Sequence, residues 1–465
     1  MSTNTVESQA DLKRVVSRVT KRLIPILLLM YILAFLDRSN LGFAKDAWQA
    51  DTGISDAAYA LGAGIFFIGY AVFEVPSNLM MQRVGAKIWL ARIMVSWGIV
   101  SSLMMFATNE WLFYGLRVLL GITEAGFFPG VILFLTYWIP LDYRARVNGL
   151  FYFGAPLAFI FGGPLSGLLL DLDGLGGMHG WQIMFLVTGI VTVIVGIIAF
   201  YYLDNGPKTA KWIGEKDREI LLSALSLEET SKESHSPRGA WKALFSPAVL
   251  YFSAAFLTIQ MSVYGITFYL PTQIAEIVGK PVGFEVGLLT SVPWICALIA
   301  TFLLTRLADS TGQRRLIATC ALAAAGLGIV LSGVIENPIL ALAAMCLGAA
   351  GFISVQPVFW TLPTSFLTGA AAASGIALIN SIGNLGGFLA PIAKNAAEES
   401  FGPSAGLILL AIIAFIGAAL IAASRYVNKI LRATDGTKAL DTFAVEVHNN
   451  PTEKAQNPNN TEFSK

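Results

Sequence analysis

Four charged residues lie inside stretches of the sequence that are otherwise apolar. One apolar stretch carries Asp37 and Arg38, and a later one carries Arg117 and Glu124. A charge inside a bilayer costs on the order of 2.5–3.5 kcal/mol on insertion scales, so such residues normally face a protein interior or a wet cavity. Arginines bind anions and buried carboxylates exchange protons. We therefore expect a site for an anion and for protons inside a membrane.

The spacing of these charges predicts where they lie. Asp37 is roughly 22 Å along a helix from Arg22, well past the middle of a bilayer core about 30 Å thick. Arg117 and Glu124 are two helical turns apart and share one helix face. If the two helices run in opposite directions, Asp37, Arg38 and Arg117 share a depth and Glu124 lies about 10 Å deeper. This layout suits a substrate carboxylate held by arginines, with two acids as proton acceptors.

Two other interpretations of these charges stay open. Asp37 and Arg38 could mark a helix end at the membrane surface, although the apolar pattern continues as LGFA after residue 40. A structural ion pair between Asp37 and Arg117 could also tie the first and fourth apolar segments together, alone or alongside a functional role.

The composition is that of a membrane protein. Of 465 residues, 55% are hydrophobic and 13% are charged, against about 25% charged residues in soluble domains. The net charge of +1 gives no reason to expect a nucleic-acid partner. The first 22 residues are polar and contain no short apolar run before a cleavage site, so we expect no removable signal peptide.

Twelve apolar segments are long enough to span a bilayer, for which about 20 residues are needed. Their approximate limits are 22–44, 57–81, 87–107, 110–138, 147–170, 181–203, 247–278, 284–306, 316–336, 338–367, 371–395 and 404–426. The pattern predicts an all-α membrane protein made of an N-terminal segment (1–21), a six-helix half (22–203), a solvated linker (204–246), a second six-helix half (247–426) and a tail (427–465).

The basic residues predict the orientation. Of the 31 lysines and arginines, we count 26 on the side of the N-terminus and two inside the membrane, leaving Lys45, Lys280 and Lys394 on the other side. Cytoplasmic loops carry the excess of basic residues, so both termini and the linker are predicted to be cytoplasmic.

Further polar residues mark a cavity and its gates. Tyr70 is expected in the pocket, whereas Glu74 is expected near the cytoplasmic end of its helix as a gate. Three pairs spaced i, i+4 predict a hydrogen-bonding wall from the second half: Gln260 with Tyr264, Gln356 with Trp360, and Asn380 with Asn384. Each half contains a basic turn with a glycine. The turn of the first half supplies Arg83, and the turn of the second half supplies Asp309 and Arg314. We expect these three residues to act in gating as well. Helix breaks near the cavity are predicted at three prolines: Pro271, Pro357 and Pro363.

Several kinds of chemistry are not expected. Cys296, Cys320 and Cys346 all fall in apolar segments and suggest neither a disulfide framework nor a metal set, and the three histidines are scattered. The sequence contains no P-loop, so we expect no cofactor and an ion gradient as the energy source.

From about residue 20 to 430 the sequence resembles the major facilitator superfamily. FLDRSN and RVLLGITEAGFFPG resemble its anion:cation symporter family, and AFLDRSNLGFAK, YALGAGIFF, VYGITFYLPTQ and GFISVQPVFWTLPT are most similar to rhamnonate and other sugar-acid transporters. The resemblance implies that Asp37 and Glu124 take up protons, that Arg38 and Arg117 engage the substrate carboxylate or the acids, and that Tyr70 and Asn384 line the pocket. One departure is Gln82, where an acidic residue is usual.

The expected function is import of a small hydroxylated carboxylate, such as L-rhamnonate or a related aldonate or aldarate. We expect the substrate to cross the bacterial inner membrane together with protons, by alternating access. Since one chain holds both halves of the site, a monomer is expected. Two alternatives are a proton symporter for an aromatic acid of the hydroxyphenylacetate type and a membrane sensor or intramembrane enzyme without transport.

Overall fold

The computed structural model describes residues 3–233, 247–363 and 369–425. Within these ranges all regular secondary structure is helical. The helices are α1 (Thr3–Thr52), α2 (Asp56–Val84), α3 (Ala86–Leu103), α4 (Glu110–Glu124), α5 (Phe127–Thr136), α6 (Leu141–Tyr152), α7 (Gly154–Leu170), α8 (Gly180–Tyr202), α9 (Glu215–Glu233), α10 (Pro247–Thr267), α11 (Leu270–Val278), α12 (Phe284–Thr311), α13 (Arg314–Val334), α14 (Pro338–Trp360), α15 (Gly369–Phe401) and α16 (Ala405–Arg425).

The predicted all-α membrane architecture is confirmed. Among the described residues, eleven helical spans are long and apolar enough to cross a membrane, and two of these spans combine consecutive helices, α4 with α5 and α6 with α7. The remaining predicted segment, 371–395, coincides with α15, whose 33 residues are also long enough to cross.

The first helix extends much further than its apolar run. α1 has 50 residues, so the predicted N-terminal segment 1–21 is helical from Thr3 onward. Val15, Val16 and Val19 in this extension are buried. Because this apolar face packs partly against α9, the helix continues beyond the membrane-spanning segment.

The linker 204–246 is more than the solvated connector that its composition predicted, because α9 docks on the first half. Leu221 on α9 is fully buried. Asp217 accepts hydrogen bonds from Arg14, at 3.2 Å, and from Arg18. Just before α9, Trp212 stacks on Trp138 with ring centroids 5.6 Å apart. The rest of the linker (234–246) and the predicted tail (427–465) lie outside the described residues.

The two six-helix halves meet chiefly along two helix pairs, α2 with α15 and α7 with α12. We call the side on which α2 ends and α10 begins the linker face, and the side on which α1 ends and α2 begins the opposite face. Near the opposite face α7 and α12 approach closely. A Cβ atom added to Gly287 would lie 2.2 Å from the carbonyl oxygen of Gly163. A Cβ atom added to Gly163 would lie 2.4 Å from the carbonyl oxygen of Gly287. Only glycine permits this backbone contact.

Candidate functional site

A cavity of about 780 Å³ lies between the two halves. Its size falls within the range of about 300–1,000 Å³ that is common for small-molecule sites. It opens on the linker face, where the lining residues Val75 and Leu79 are exposed. The residues from the predicted site that line it are Arg38, Tyr70, Glu74, Gln260, Tyr264, Gln356, Trp360, Asn380 and Asn384.

The cation of the cavity wall, Arg38, forms an ion pair with Glu124. The Arg38 Nε and Nη2 atoms donate to Glu124 Oε1 at 2.9 and 2.5 Å. Glu124 is completely buried, and its other oxygen, Oε2, has no hydrogen-bond partner among the described residues. Arg38 Nη1 also reaches the hydroxyl of Tyr264, at 3.5 Å, and thereby connects the two halves.

A break in the fourth spanning segment positions Glu124, which is the last residue of α4. Gly126 follows with a φ of 83°, a left-handed conformation that favours glycine, and α5 begins at Phe127. A Cβ at Gly126 would lie 2.5 Å from the Ser77 hydroxyl oxygen. The glycine therefore allows both the break and the close approach of α2.

Asp37 has a different environment from its neighbour Arg38. It is buried between α1 and α3, where its Oδ2 accepts a hydrogen bond from Trp97 Nε1 at 2.8 Å and its Oδ1 accepts one from the Ser101 hydroxyl. Trp97 and Ser101 are four residues apart on α3 and therefore share one helix face. The same i, i+4 spacing was used to predict the polar pairs of the second half, and it would also have indicated these two donors. Asp37 does not line the cavity.

Arg117 is not placed at the cavity. It is buried, and its Nε and Nη2 donate to the backbone carbonyls of Gly62 at 3.0 Å and Ala63 at 3.2 Å. Asp37 and Arg117 form no ion pair, so the structural pair considered from the sequence is wrong for this conformation. The reason is that the α2 carbonyls and the α3 donors satisfy the two groups separately.

The second half contributes a polar and aromatic wall. Gln260 Nε2 approaches Asn384 Oδ1 at 3.5 Å, while Gln260 Oε1 is buried without a hydrogen-bond partner among the described residues. Trp360 packs on Phe256 with ring centroids 4.7 Å apart. The helix break predicted at Pro357 is wrong, because α14 continues through it to Trp360, whereas Pro363 lies in the turn that follows.

On the opposite face the cavity is closed by contacts across the halves. The helix break predicted at Pro271 is confirmed: α10 ends at Thr267 and α11 starts at Leu270. The hydroxyl of Tyr59 donates to the freed carbonyl of Phe268 at 3.2 Å.

An aromatic and cationic stack lies beside this break and spans both halves. Lys45 Nζ lies 5.6 Å from the Tyr59 ring centroid, the Tyr59 and Tyr269 rings are 5.7 Å apart, and Lys394 Nζ lies 3.9 Å from the Tyr269 ring. Cation–π contacts add to the closure of this face.

The residues predicted to act in gating lie in different places. Arg83 is exposed in the last turn of α2. Asp309 and Arg314 pair with each other at 3.3 Å on an exposed turn of the second half. Glu74 lines the cavity itself, one turn beyond Tyr70, instead of lying only at the helix end.

Sequence reasoning did not place several polar residues of the first half in the cavity lining: Tyr31, Asn78, Gln82, Asn148 and Tyr152. The side-chain Oδ1 atoms of Asn78 and Asn148 are buried without hydrogen-bond partners among the described residues. Asn148 and Tyr152 share the i, i+4 spacing used for the second half, so the same rule could have found them.

Comparisons with known proteins are consistent with this architecture. A sequence profile of the Major Facilitator Superfamily matches residues 27–391. The chain is 46% identical over 429 residues to the inner membrane transport protein RhmT of Escherichia coli K12, covering 92% of this chain and 99% of that protein. It is 39% identical over 438 residues to a putative tartrate transporter of Agrobacterium vitis, covering 94% and 95%.

The fold has close counterparts among solved structures. A bacterial homologue of the human lysosomal transporter Spinster, in an inward-facing and unoccupied conformation, superposes with a TM-score of 0.68 over 86% of this chain and 96% of the other. The two sequences are 18% identical, so the similarity is one of fold.

Proposed function

The chain belongs to the Major Facilitator Superfamily, as a multi-pass membrane transporter and not an enzyme, and we propose that it imports a small hydroxylated carboxylate together with protons. The proposed location is a bacterial inner membrane, as the name of the Escherichia coli relative suggests. The excess of basic residues in the sequence segments predicted on this side supports a cytoplasmic position for the linker face. In this orientation the cavity opens inward.

The observation that carries the proposal is the pairing of Arg38, on the cavity wall, with the buried Glu124. Protonation of Glu124 would remove its negative charge and weaken the pair. Arg38 would then be free to bind a substrate carboxylate, for which a planar guanidinium is suited. The Oε2 atom of Glu124, which has no hydrogen-bond partner among the described residues, can receive the proton without breaking an existing bond.

The neutral part of the wall supports a hydroxylated substrate. Three amide oxygens at the cavity, those of Asn78, Asn148 and Gln260, are buried and have no hydrogen-bond partner among the described residues. Buried acceptors are costly unless they are paired, and the hydroxyl groups of a sugar acid are suitable donors. The names of the relatives fit this class, since one of them is a putative tartrate transporter.

The proposed cycle is one of alternating access. Substrate and protons enter while the opposite face is open, that face then closes, and both leave through the inward-open cavity. Glu124 and Asp37 are the proposed proton carriers, and the proton gradient supplies the energy without a bound cofactor. One chain holds the entire cavity, so a monomer suffices.

Uptake into proteoliposomes with an imposed proton gradient tests this function. The panel contains L-rhamnonate, D-galactonate and D-gluconate as sugar acids and 4-hydroxyphenylacetate as an aromatic acid. We expect accumulation of at least one sugar acid, abolished by a protonophore. Accumulation that does not respond to the gradient or the protonophore would contradict the proton coupling.

The aromatic acid is the second candidate, because the cavity is also lined by aromatic rings that include Phe35, Phe67 and Trp360. Direct uptake of each acid separates the two candidates. If 4-hydroxyphenylacetate is accumulated with the proton gradient and no sugar acid is taken up, the aromatic candidate replaces the first.

A further inference from the structure

The cavity has an unusual balance of charges for a site that binds an anion. Among the described residues that line it, only Arg38 and Glu74 carry a formal charge at neutral pH. Arg38 supplies one positive charge, which Glu124 neutralises in this conformation. The lining therefore offers one cation, Arg38, for an anionic substrate. It also offers one carboxylate, Glu74, that takes no part in the Arg38–Glu124 pair.

Glu74 lies further along the cavity wall than the place where Arg38 would hold a substrate carboxylate. The guanidinium carbon of Arg38 is 5.2 Å from the ring centroid of Tyr70, and Glu74 is one turn further along α2. The side-chain carboxylate of Glu74 has no hydrogen bond or ion pair in the part of the chain that the structure describes, although its backbone carbonyl accepts a hydrogen bond from Asn78 at 2.9 Å. It is half-buried and faces the cavity.

We infer that Glu74 determines specificity by limiting the substrate to a single carboxylate. This inference rests on the proposed function, since it takes Arg38 as the partner of the first carboxylate. A second carboxylate on the same substrate would find no further cation among the described lining residues. It would instead meet the like charge of Glu74 in a partly desolvated space, where repulsion between charges is strong.

The substrate class that follows is the aldonate, with one carboxylate, in preference to the aldarate, with a carboxylate at each end. At the far end of the substrate an aldonate presents a hydroxymethyl group. That group can donate a hydrogen bond to the Glu74 carboxylate, whereas a carboxylate cannot. Glu74 would therefore distinguish two molecules that differ only at their last carbon.

Binding to the full-length protein in lipid nanodiscs tests the inference with matched pairs. The probes are D-gluconate with D-glucarate and D-galactonate with galactarate. The wild type should prefer the aldonate of the pair it recognises by about tenfold or more, which corresponds to about 1.4 kcal/mol. Glu74→Gln should reduce that preference by about tenfold by improving aldarate binding.

Two further variants complete the test. Glu74→Asp keeps the charge and should keep the preference, and Glu74→Ser is a second neutral variant in case Glu74→Gln does not fold. Equal binding of aldonate and aldarate by the wild type, or an unchanged preference in both neutral variants, would overturn the inference while leaving the proposed function intact. A wild type that binds none of the four probes and does not accumulate L-rhamnonate would remove the proposed sugar-acid substrate and the inference with it.

Discussion

At the scale of the residue, the four intramembrane charges separate into two environments. Arg38 and Glu124 form a pair at the cavity, whereas Asp37 and Arg117 are held by groups of the first half. Residue type and spacing indicated that these residues matter. They did not indicate that Arg38 pairs with Glu124, which was predicted to lie deeper in the membrane. Spacing predicts the helix face and the depth of a Cα atom, but it does not predict how far a long side chain such as that of Arg38 reaches.

The role of Arg117 can be tested by substitution. Arg117→Met removes two charge-assisted hydrogen bonds to the carbonyls of Gly62 and Ala63. We expect a loss of roughly 2 kcal/mol in stability, seen as a lower melting temperature of the purified protein. Arg146→Met, at an exposed position, is the control and should change stability by less than about 0.5 kcal/mol. An Arg117→Met protein that melts like the wild type but binds no substrate would instead indicate a direct role in binding.

At the scale of the element, glycines decide where helices break and where they touch. The twelve apolar segments follow from hydropathy alone. The break after Glu124 depends on the left-handed Gly126, and the α7–α12 contact depends on Gly163 and Gly287. Glycines occur in apolar segments for several structural reasons. The sequence therefore did not show which of them are needed for a left-handed backbone conformation or for a close helix contact.

The α7–α12 contact yields a prediction about conformation. In Gly287→Ala the new methyl group would lie 2.2 Å from the Gly163 carbonyl oxygen, so the two helices must separate. We expect faster hydrogen exchange at the ends of α7 and α12 on the opposite face and slower transport. Gly115→Ala is the matched control, because nothing lies within 4 Å of its added Cβ. Equal exchange in the two variants would show that the contact does not hold this face closed.

The docked linker helix gives a second prediction at this scale. Asp217→Asn removes the charge that Arg14 and Arg18 bind, and we expect faster hydrogen exchange along α9, including at the buried Leu221. Glu219→Gln, on the exposed side of the same helix, is the control and should leave exchange unchanged. If Asp217→Asn exchanges like the wild type, apolar packing alone docks the helix. Composition could not predict this docking, since a polar average conceals one apolar helix face.

At the scale of the whole molecule, two halves enclose a cavity that is open on one face and closed on the other by contacts between the halves. The twofold arrangement and most of the polar lining were predictable, because each i, i+4 pair fixes a helix face and the topology directs that face inward. The cross-half contacts of Tyr59 and Tyr269 were not predictable, since they depend on which face of the transporter is closed.

The Arg38–Glu124 pair is the centre of the proposed mechanism, and a single comparison tests it most directly. Glu124→Gln is reconstituted beside the wild type, and both substrate exchange across the membrane and accumulation driven by a proton gradient are measured. We predict that exchange persists, because Arg38 is left free to bind the carboxylate, and that accumulation is lost, because residue 124 can no longer exchange a proton. Accumulation by Glu124→Gln at the wild-type level, still abolished by a protonophore, would contradict the role of this pair.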